Sequence, residues 1–321
     1  MILERLLGDT SRSEFLDRYF HRLPYSRPGG AAAFTDLGGE ATIERILGGA
    51  DPDVLVVRQG TRREGKTVPT WAQMKALHAE QWTFVARNAE RHDAGLAKLA
   101  ADFYADFRAP INIHLYWSPA DQHGFGWHYD VEEVFVLQAR GVKKYMLRKN
   151  SVNPWPLLET MPRDLQYEKE RTPVMECVLA AGDWLYIPAG WWHVAKAGSA
   201  EASGEGGSIS LAVGVMSPAA IAIYDFLRRR LLDLPVWRQR MPVAGAANPL
   251  SAEELESRYR NLFADLGRDL ARTLDDVRLA REFLKDDEQR NDPQMTQISQ
   301  TVLRNKSAPS AKSADGQTHE R

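Results

Sequence analysis

Apolar positions along this chain change their period twice. Near the start, Phe15, Leu16, Tyr19 and Phe20 recur at helical spacing, and Ser13 stands where a helix cap belongs. Pro24, Pro28 and Gly29-Gly30 stop that pattern. A second helix is expected over 41–48, a strand over 53–59 (DVLVVRQ), and helices over 71–77 and 81–107, the last with a break near Asp93-Ala94-Gly95. At Pro110 the texture shifts to short apolar or alternating runs bounded by Gly, Pro, Asp and Asn. Strands are expected at 111–117, 126–130, 133–139, 143–148, 174–180, 184–187, 192–196 and 208–215. So many short strands with turn signals between them argue an all-β sandwich or barrel. The small, polar stretch 198–207 reads as a loop between two core strands. Helical spacing returns at Pro218, first over 219–232. A longer helix follows, capped by Ser251 with Glu253 and Glu254 in its first turn, and its leucine stripe runs from Leu262 through Leu279 toward residue 285. The expected organisation is a helical and mixed region over 1–109 packing on a β core over 110–217, a helical region over 218–289, and a polar, disordered tail over 290–321.

Composition narrows the class. With 321 residues, 44% of them apolar, and a net charge of -2, the chain suits a soluble globular protein with no basic field for nucleic acid. No apolar run approaches the roughly eighteen residues a membrane span needs. Cys177 is the sole cysteine, so an internal disulfide and a thiolate metal cluster are both excluded, and a reducing compartment fits. The opening MILERLLGDTSRSEF is too interrupted by charge to read as a signal peptide, so a cytoplasmic location is expected.

The candidate chemistry centres on Trp127-His128-Tyr129-Asp130. On a strand, residues two apart share a face, so His128 and Asp130 can offer an imidazole nitrogen and a carboxylate oxygen to one ion. His193, in Ala189-Gly190-Trp191-Trp192-His193, is the candidate third ligand. Two neutral imidazoles and one carboxylate on one octahedral face leave three positions open, as a non-haem Fe(II) oxygenase requires; Zn and Mn remain alternatives for the same donors. A His-x-Asp pair alone is weak, since a histidine beside a solvated aspartate is common. Context strengthens it: the pair follows a Gly-Phe-Gly turn inside the strand-rich region, and the run from Gly182 to His193 reads as turn, strand, turn and a histidine opening a strand.

Four segments carry a resemblance: Gly124 to Glu132, Val134 to Gln138, Gly141-Val142-Lys143-Lys144, and Gly182 to His193. Together they make residues 110 to 216 similar to the JmjC-type, cupin-like oxygenases, in particular their ribosomal-oxygenase branch. The resemblance implies a double-stranded β-helix (jelly-roll cupin) flanked by N-terminal and C-terminal α-helical regions. It implies Fe(II) held by His128, Asp130 and His193, with 2-oxoglutarate as cosubstrate. Lys143, two positions after the hairpin glycine, would bind the distal carboxylate. The physical case agrees, because a buried ammonium needs an anionic partner, while Lys144 should face outward. Tyr116 and Ser208 are further candidates near the cosubstrate, each equally readable as core. His114 departs from the branch, which tends to have asparagine there, and is expected as a hydrogen-bond donor behind the ligands. The implied reaction is hydroxylation of a side chain in a protein or peptide, with a homodimer formed through the C-terminal helices. The branch's C-terminal winged-helix domain has no counterpart after residue 285, which keeps a small molecule or peptide natural product open as substrate. Other classes are a metal cupin that does not use 2-oxoglutarate, a non-catalytic scaffold and a histone-type demethylase.

Overall fold

The computed structural model describes residues 1–65, 67–161, 171–204 and 206–291. Met1–Pro218 form one compact unit and Ala219 onward a second. Most of the tail expected to be disordered lies outside the described residues.

Eleven strands are formed among the described residues of the first unit: β1 Tyr25–Arg27, β2 Asp53–Arg58, β3 Thr61–Arg62, β4 Thr83–Arg87, β5 Ile111–Ser118, β6 Glu133–Arg140, β7 Lys143–Arg148, β8 Val174–Leu179, β9 Trp184–Ile187, β10 Trp192–Ala197 and β11 Ser208–Val215. They build two antiparallel sheets, a large one in the order β1-β9-β6-β11-β5-β4-β2-β3 and a small one in the order β10-β7-β8. The inner faces of the two sheets meet through Val134, Val136, Leu185 and Ile187 from one and Tyr145, Leu147 and Leu179 from the other. This antiparallel, sheet-rich core with flanking helices is the cupin architecture expected above.

Alternation decides what each face of the large sheet does. Ile113, Leu115 and Trp117 of β5 and Ile209, Leu211, Val213 and Val215 of β11 point outward into a core closed by helices. The helices are α1 Ile2–Leu7, α2 Arg12–Arg18, α3 Glu40–Leu47, α4 Trp71–Ala79 and α5 Ala94–Phe107, with a single turn α6 Ala200–Ser203 inside the 198–207 loop. Phe15 is fully buried and meets Phe135, Trp184 and Tyr186 of the sheet. The residues alternating with these, on β5 and β11, point inward and are more polar, and Tyr116, Ser118 and Ala212 among them line the site.

The structure corrects four local expectations. The cap of α2 is Ser11, whose hydroxyl accepts from the Glu14 amide, while Ser13 bonds Asp17. The expected helix over 81–107 is a strand and then a helix. Thr83, Phe84 and Val85 are β-formers and their stretch is buried on both sides, so pairing with β5 overrides helical spacing; α5 begins only where Asp93 accepts from the Leu96 amide. Residues 126–130 are no regular strand. The segment touches β10 by a single bridge, His128 to His193. The long C-terminal helix is two, α8 Ala252–Leu274 and α9 Leu279–Asn291, because Asp276 accepts from the Arg278 amide and turns the chain between them.

In the second unit α7 Ile221–Leu231 packs on α9 through Phe226, Leu227 and Leu279. No helix among the described residues is long and apolar enough to cross a membrane.

Candidate metal centre

His128 and His193 lie far apart in sequence and are joined by two backbone bonds. The His128 amide donates to the His193 carbonyl at 3.0 Å, and the His193 amide donates back at 2.7 Å. A pair that exchanges both bonds holds its Cα atoms about 5.5 Å apart with side chains on one face. The two rings accordingly sit 4.3 Å apart, centroid to centroid. Asp130 is fixed by its own carbonyl, which accepts from the Gly190 amide at 2.8 Å. Its carboxylate reaches within 3.4 Å of His193 Nε2. One donor atom from each of the three side chains lies within 4.8 Å of the others.

The tautomers follow from the acceptors. His128 Nδ1 lies 2.8 Å from the Gly126 carbonyl, and His193 Nδ1 lies 3.0 Å from the Trp191 carbonyl. A carbonyl only accepts, so each Nδ1 carries the proton and each Nε2 presents a lone pair. Burial, with the neighbouring His128 adding to it, pushes the His193 pKa down to about 4. The ring is neutral at physiological pH, which is the ligating form. Two imidazole nitrogens and one carboxylate therefore converge on one point, a donor set that fits Fe(II) and leaves one side open. His114 lies on the inner face of β5 with its pKa lowered by burial, and it stands outside this trio.

The trio lines a cleft between the two sheets. At its other end is Lys143. Gly141, in the left-handed region at φ +66°, makes the tight turn from β6 to β7, and a Cβ there would lie 2.6 Å from the Gly207 carbonyl. That turn sets the alternation of β7. Lys144 points out to Glu176 at 2.9 Å, and Lys143 points in, only 5% exposed. Lys143 Nζ donates to Ser210 Oγ at 2.9 Å and lies 5.0 Å from the Tyr116 ring centre. No carboxylate among the described residues pairs with it, and burial lowers its pKa to about 8. At neutral pH this is a buried ammonium with hydroxyl and aromatic neighbours but no counter-charge.

Of the residues singled out in the sequence, Tyr116 lines the cleft beside Lys143. Ser208 does not: it is fully buried and accepts from Gln138 Nε2 at 2.8 Å. Register is the reason. Ser210 stands opposite Tyr116 and Ser208 opposite Ser118, so the serine that meets Lys143 is Ser210. Sequence reasoning also passed over Thr83, Ser118 and Tyr145 in the cleft wall. It missed Glu132 as well, which burial pushes up to about 7 while Asn112 donates to it at 2.8 Å. Two-residue alternation from Tyr116 and Lys143 would have found Ser118 and Tyr145; nothing local marks Thr83.

A family model described as the JmjC domain matches residues 90–221. Curated relatives include the bifunctional lysine-specific demethylase and histidyl-hydroxylase NO66 of Drosophila erecta, 29% identical over 157 residues, covering 47% of this chain and 23% of that protein. The Dictyostelium discoideum protein of the same name is 26% identical over 211 residues, covering 60% of this chain and 40% of that protein. The chain thus spans well under half the length of these relatives. Among solved structures, the Escherichia coli ribosomal oxygenase YcfD in complex with cobalt and 2-oxoglutarate aligns with a TM-score of 0.53 at 16% identity, covering 87% of this chain and 71% of that one. Another YcfD structure gives a TM-score of 0.52 at 16% identity, covering 86% and 70%. The stretch matched by the JmjC-domain model, residues 90–221, carries the histidine pair, Asp130 and Lys143.

Proposed function

We propose that this chain is an Fe(II)- and 2-oxoglutarate-dependent oxygenase that hydroxylates an amino-acid side chain in a protein or peptide. The observation that carries the reading is the buried Lys143 ammonium, without a counter-charge, in the same cleft as two lone-pair-bearing imidazoles and a carboxylate. A buried charge is tolerated when an anion meets it, and a dicarboxylate spanning from the ion to Lys143 supplies one.

The chain's own residues divide the work. His128 Nε2, His193 Nε2 and an Asp130 oxygen would hold Fe(II), with Nδ1 of each ring anchored to a carbonyl so that neither imidazole can swing away. Lys143, with Ser210 at its side, would grip the distal carboxylate of 2-oxoglutarate. Val134, Val136, Ile187, Ala195 and Ala212 line the cleft with apolar surface and limit water near the ion. When bound, the iron and cosubstrate activate dioxygen, convert 2-oxoglutarate to succinate and carbon dioxide, and deliver one oxygen atom to a C–H bond. The NO66 and YcfD proteins carry protein-directed names, and their likeness to this chain supports a polypeptide substrate.

A homodimer through the C-terminal helices and a cytoplasmic location complete the proposal. The dimer is supported by Ile221, Ile223, Tyr224 and Leu274, which remain exposed, and by a groove of about 520 Å3 lined by Tyr224, Leu231, Trp237 and Leu270. A patch of this kind marks an interaction surface. The cytoplasmic assignment rests on the lone, free cysteine.

The test is succinate release with Fe(II), 2-oxoglutarate and candidate peptides, with mass spectrometry of the peptide for a gain of one oxygen. Asp130→Ala and His193→Ala should abolish both signals. Succinate formation that persists without Fe(II), or in both variants, would refute the assignment.

A further inference from the structure

Thr83 presents a polar atom that the folded chain leaves unsatisfied. It is 1% exposed, and its Oγ1 has no hydrogen-bond partner. A buried hydroxyl without a partner is destabilising, and its persistence calls for an external one. The atom belongs to a side chain in the wall of the cleft that holds the trio and Lys143.

Register says which end of the cleft it serves. Val85 pairs with Tyr116 and Phe84 with Trp117, so the next residue of β4, Thr83, runs alongside Ser118. Phe84 and Trp117 face the outer core. Thr83 and Ser118 therefore face inward, one row from Tyr116, whose ring lies under Lys143 Nζ. On β5 the rows run from Asn112 through His114 and Tyr116 to Ser118. Glu132, next but one to Asp130, bonds Asn112 at the far end of that series. Thr83 thus belongs to the Lys143 end. Gly124 closes over it: a Cβ on Gly124 would lie 3.3 Å from Thr83 Cγ2.

We infer that the Thr83 hydroxyl is a second anchor for the distal carboxylate of 2-oxoglutarate, donating to the oxygen that Lys143 leaves free. A carboxylate offers about four acceptor sites. One Lys143 N–H is already given to Ser210, so two remain. The ammonium is a point charge and fixes no direction; a hydroxyl on a paired strand adds the direction it lacks. Thr83 is in this sense a positioning residue, and its role rests on the 2-oxoglutarate reading of the site.

The experiment uses the full-length chain loaded with Mn(II) in the absence of dioxygen, and measures 2-oxoglutarate binding by titration calorimetry. Thr83→Val keeps the shape and removes the hydroxyl; Thr83→Ser keeps the hydroxyl. Thr83→Val should weaken binding about tenfold or more, the loss of a hydrogen bond to a charged group. Thr83→Ser should stay within about threefold of wild type. Without 2-oxoglutarate, Thr83→Val should melt no lower than wild type, because an unsatisfied buried group has been removed. Unchanged binding in Thr83→Val would overturn the inference and leave the hydroxyl to a trapped water. Equal weakening in both variants would also overturn it, since shape rather than the hydroxyl would matter. A wild-type chain that binds Mn(II) but not 2-oxoglutarate would sink the cosubstrate reading itself, a result distinct from the other two.

Discussion

Replacing Lys143 by methionine should move stability and cosubstrate affinity in opposite directions. Lys143 is 5% exposed, and burial holds its pKa at about 8 against an ordinary 10.5. At about 1.4 kcal/mol per unit, the folded chain at pH 7 carries the ammonium at a cost of about 3 kcal/mol. The cost is absent above pH 10.5, where the side chain is neutral folded or unfolded. It grows as pH falls from 10.5 to 8 and is constant below. Methionine keeps the unbranched stem and removes the charge. Some of the gain is offset by the lost bond to Ser210, worth about 1 kcal/mol. The variant without cosubstrate should therefore melt a few degrees above wild type near pH 7, and the difference should shrink as pH is raised from 8 toward 10.5. With 2-oxoglutarate the sign reverses. Removing one member of a buried ion pair costs about 3–5 kcal/mol, so binding should weaken by at least about a hundredfold. Melting curves over pH, with calorimetric titration of 2-oxoglutarate onto the Mn(II) form, measure both. Binding within tenfold of wild type would refute the role of Lys143, and a lower melting temperature at pH 7 would refute the view that its charge is unpaired in the empty cleft.

Other outcomes test other parts of the molecule. His78 is buried against Trp117, their ring centres 3.9 Å apart, and burial pushes its pKa down to about 4. The folded state keeps the ring neutral, so its contribution is intact above pH 6.5 and is lost as pH falls from 6.5 toward 4; His78→Phe should flatten that part of the melting profile. Phe15→Ala should cost about 3–5 kcal/mol in denaturant titration, because the ring is fully buried among Phe135, Trp184 and Tyr186. Tyr224→Asp, on the exposed face of α7, should yield a monomer by light scattering if that face joins two copies. A wild-type chain that is already monomeric would remove the dimer.

The elements readable from sequence are those whose pattern is a local matter. Strands β5, β6, β9 and β11 alternate between a helix-covered face and an inward face, while β7 and β10 turn Lys144 and Lys196 outward and the alternate residues inward, so each carries its own signal. Lys143 inward and Lys144 outward follow from the same period once the turn at Gly141 is placed. The donor set was legible for a different reason: His128, Asp130 and His193 sit in segments whose residues match a known pattern, and their chemistry alone suits a facial site.

Pairing between distant segments was not legible. Residues 83–87 carry no polar alternation because both faces are covered, and helix and strand are then indistinguishable until β5 supplies the partner. The single bridge from His128 to His193, not a regular strand, orients two of the three donors, and a bridge has no sequence period. Which of Ser208 and Ser210 meets Lys143 depends on the register of β11 against β5, where a two-residue slip exchanges them. Sequence by itself thus determined the strands' faces and the kinds of side chain available to the site. Tertiary structure decided which of them meet, because alternation repeats along any strand while register is set only when two strands join.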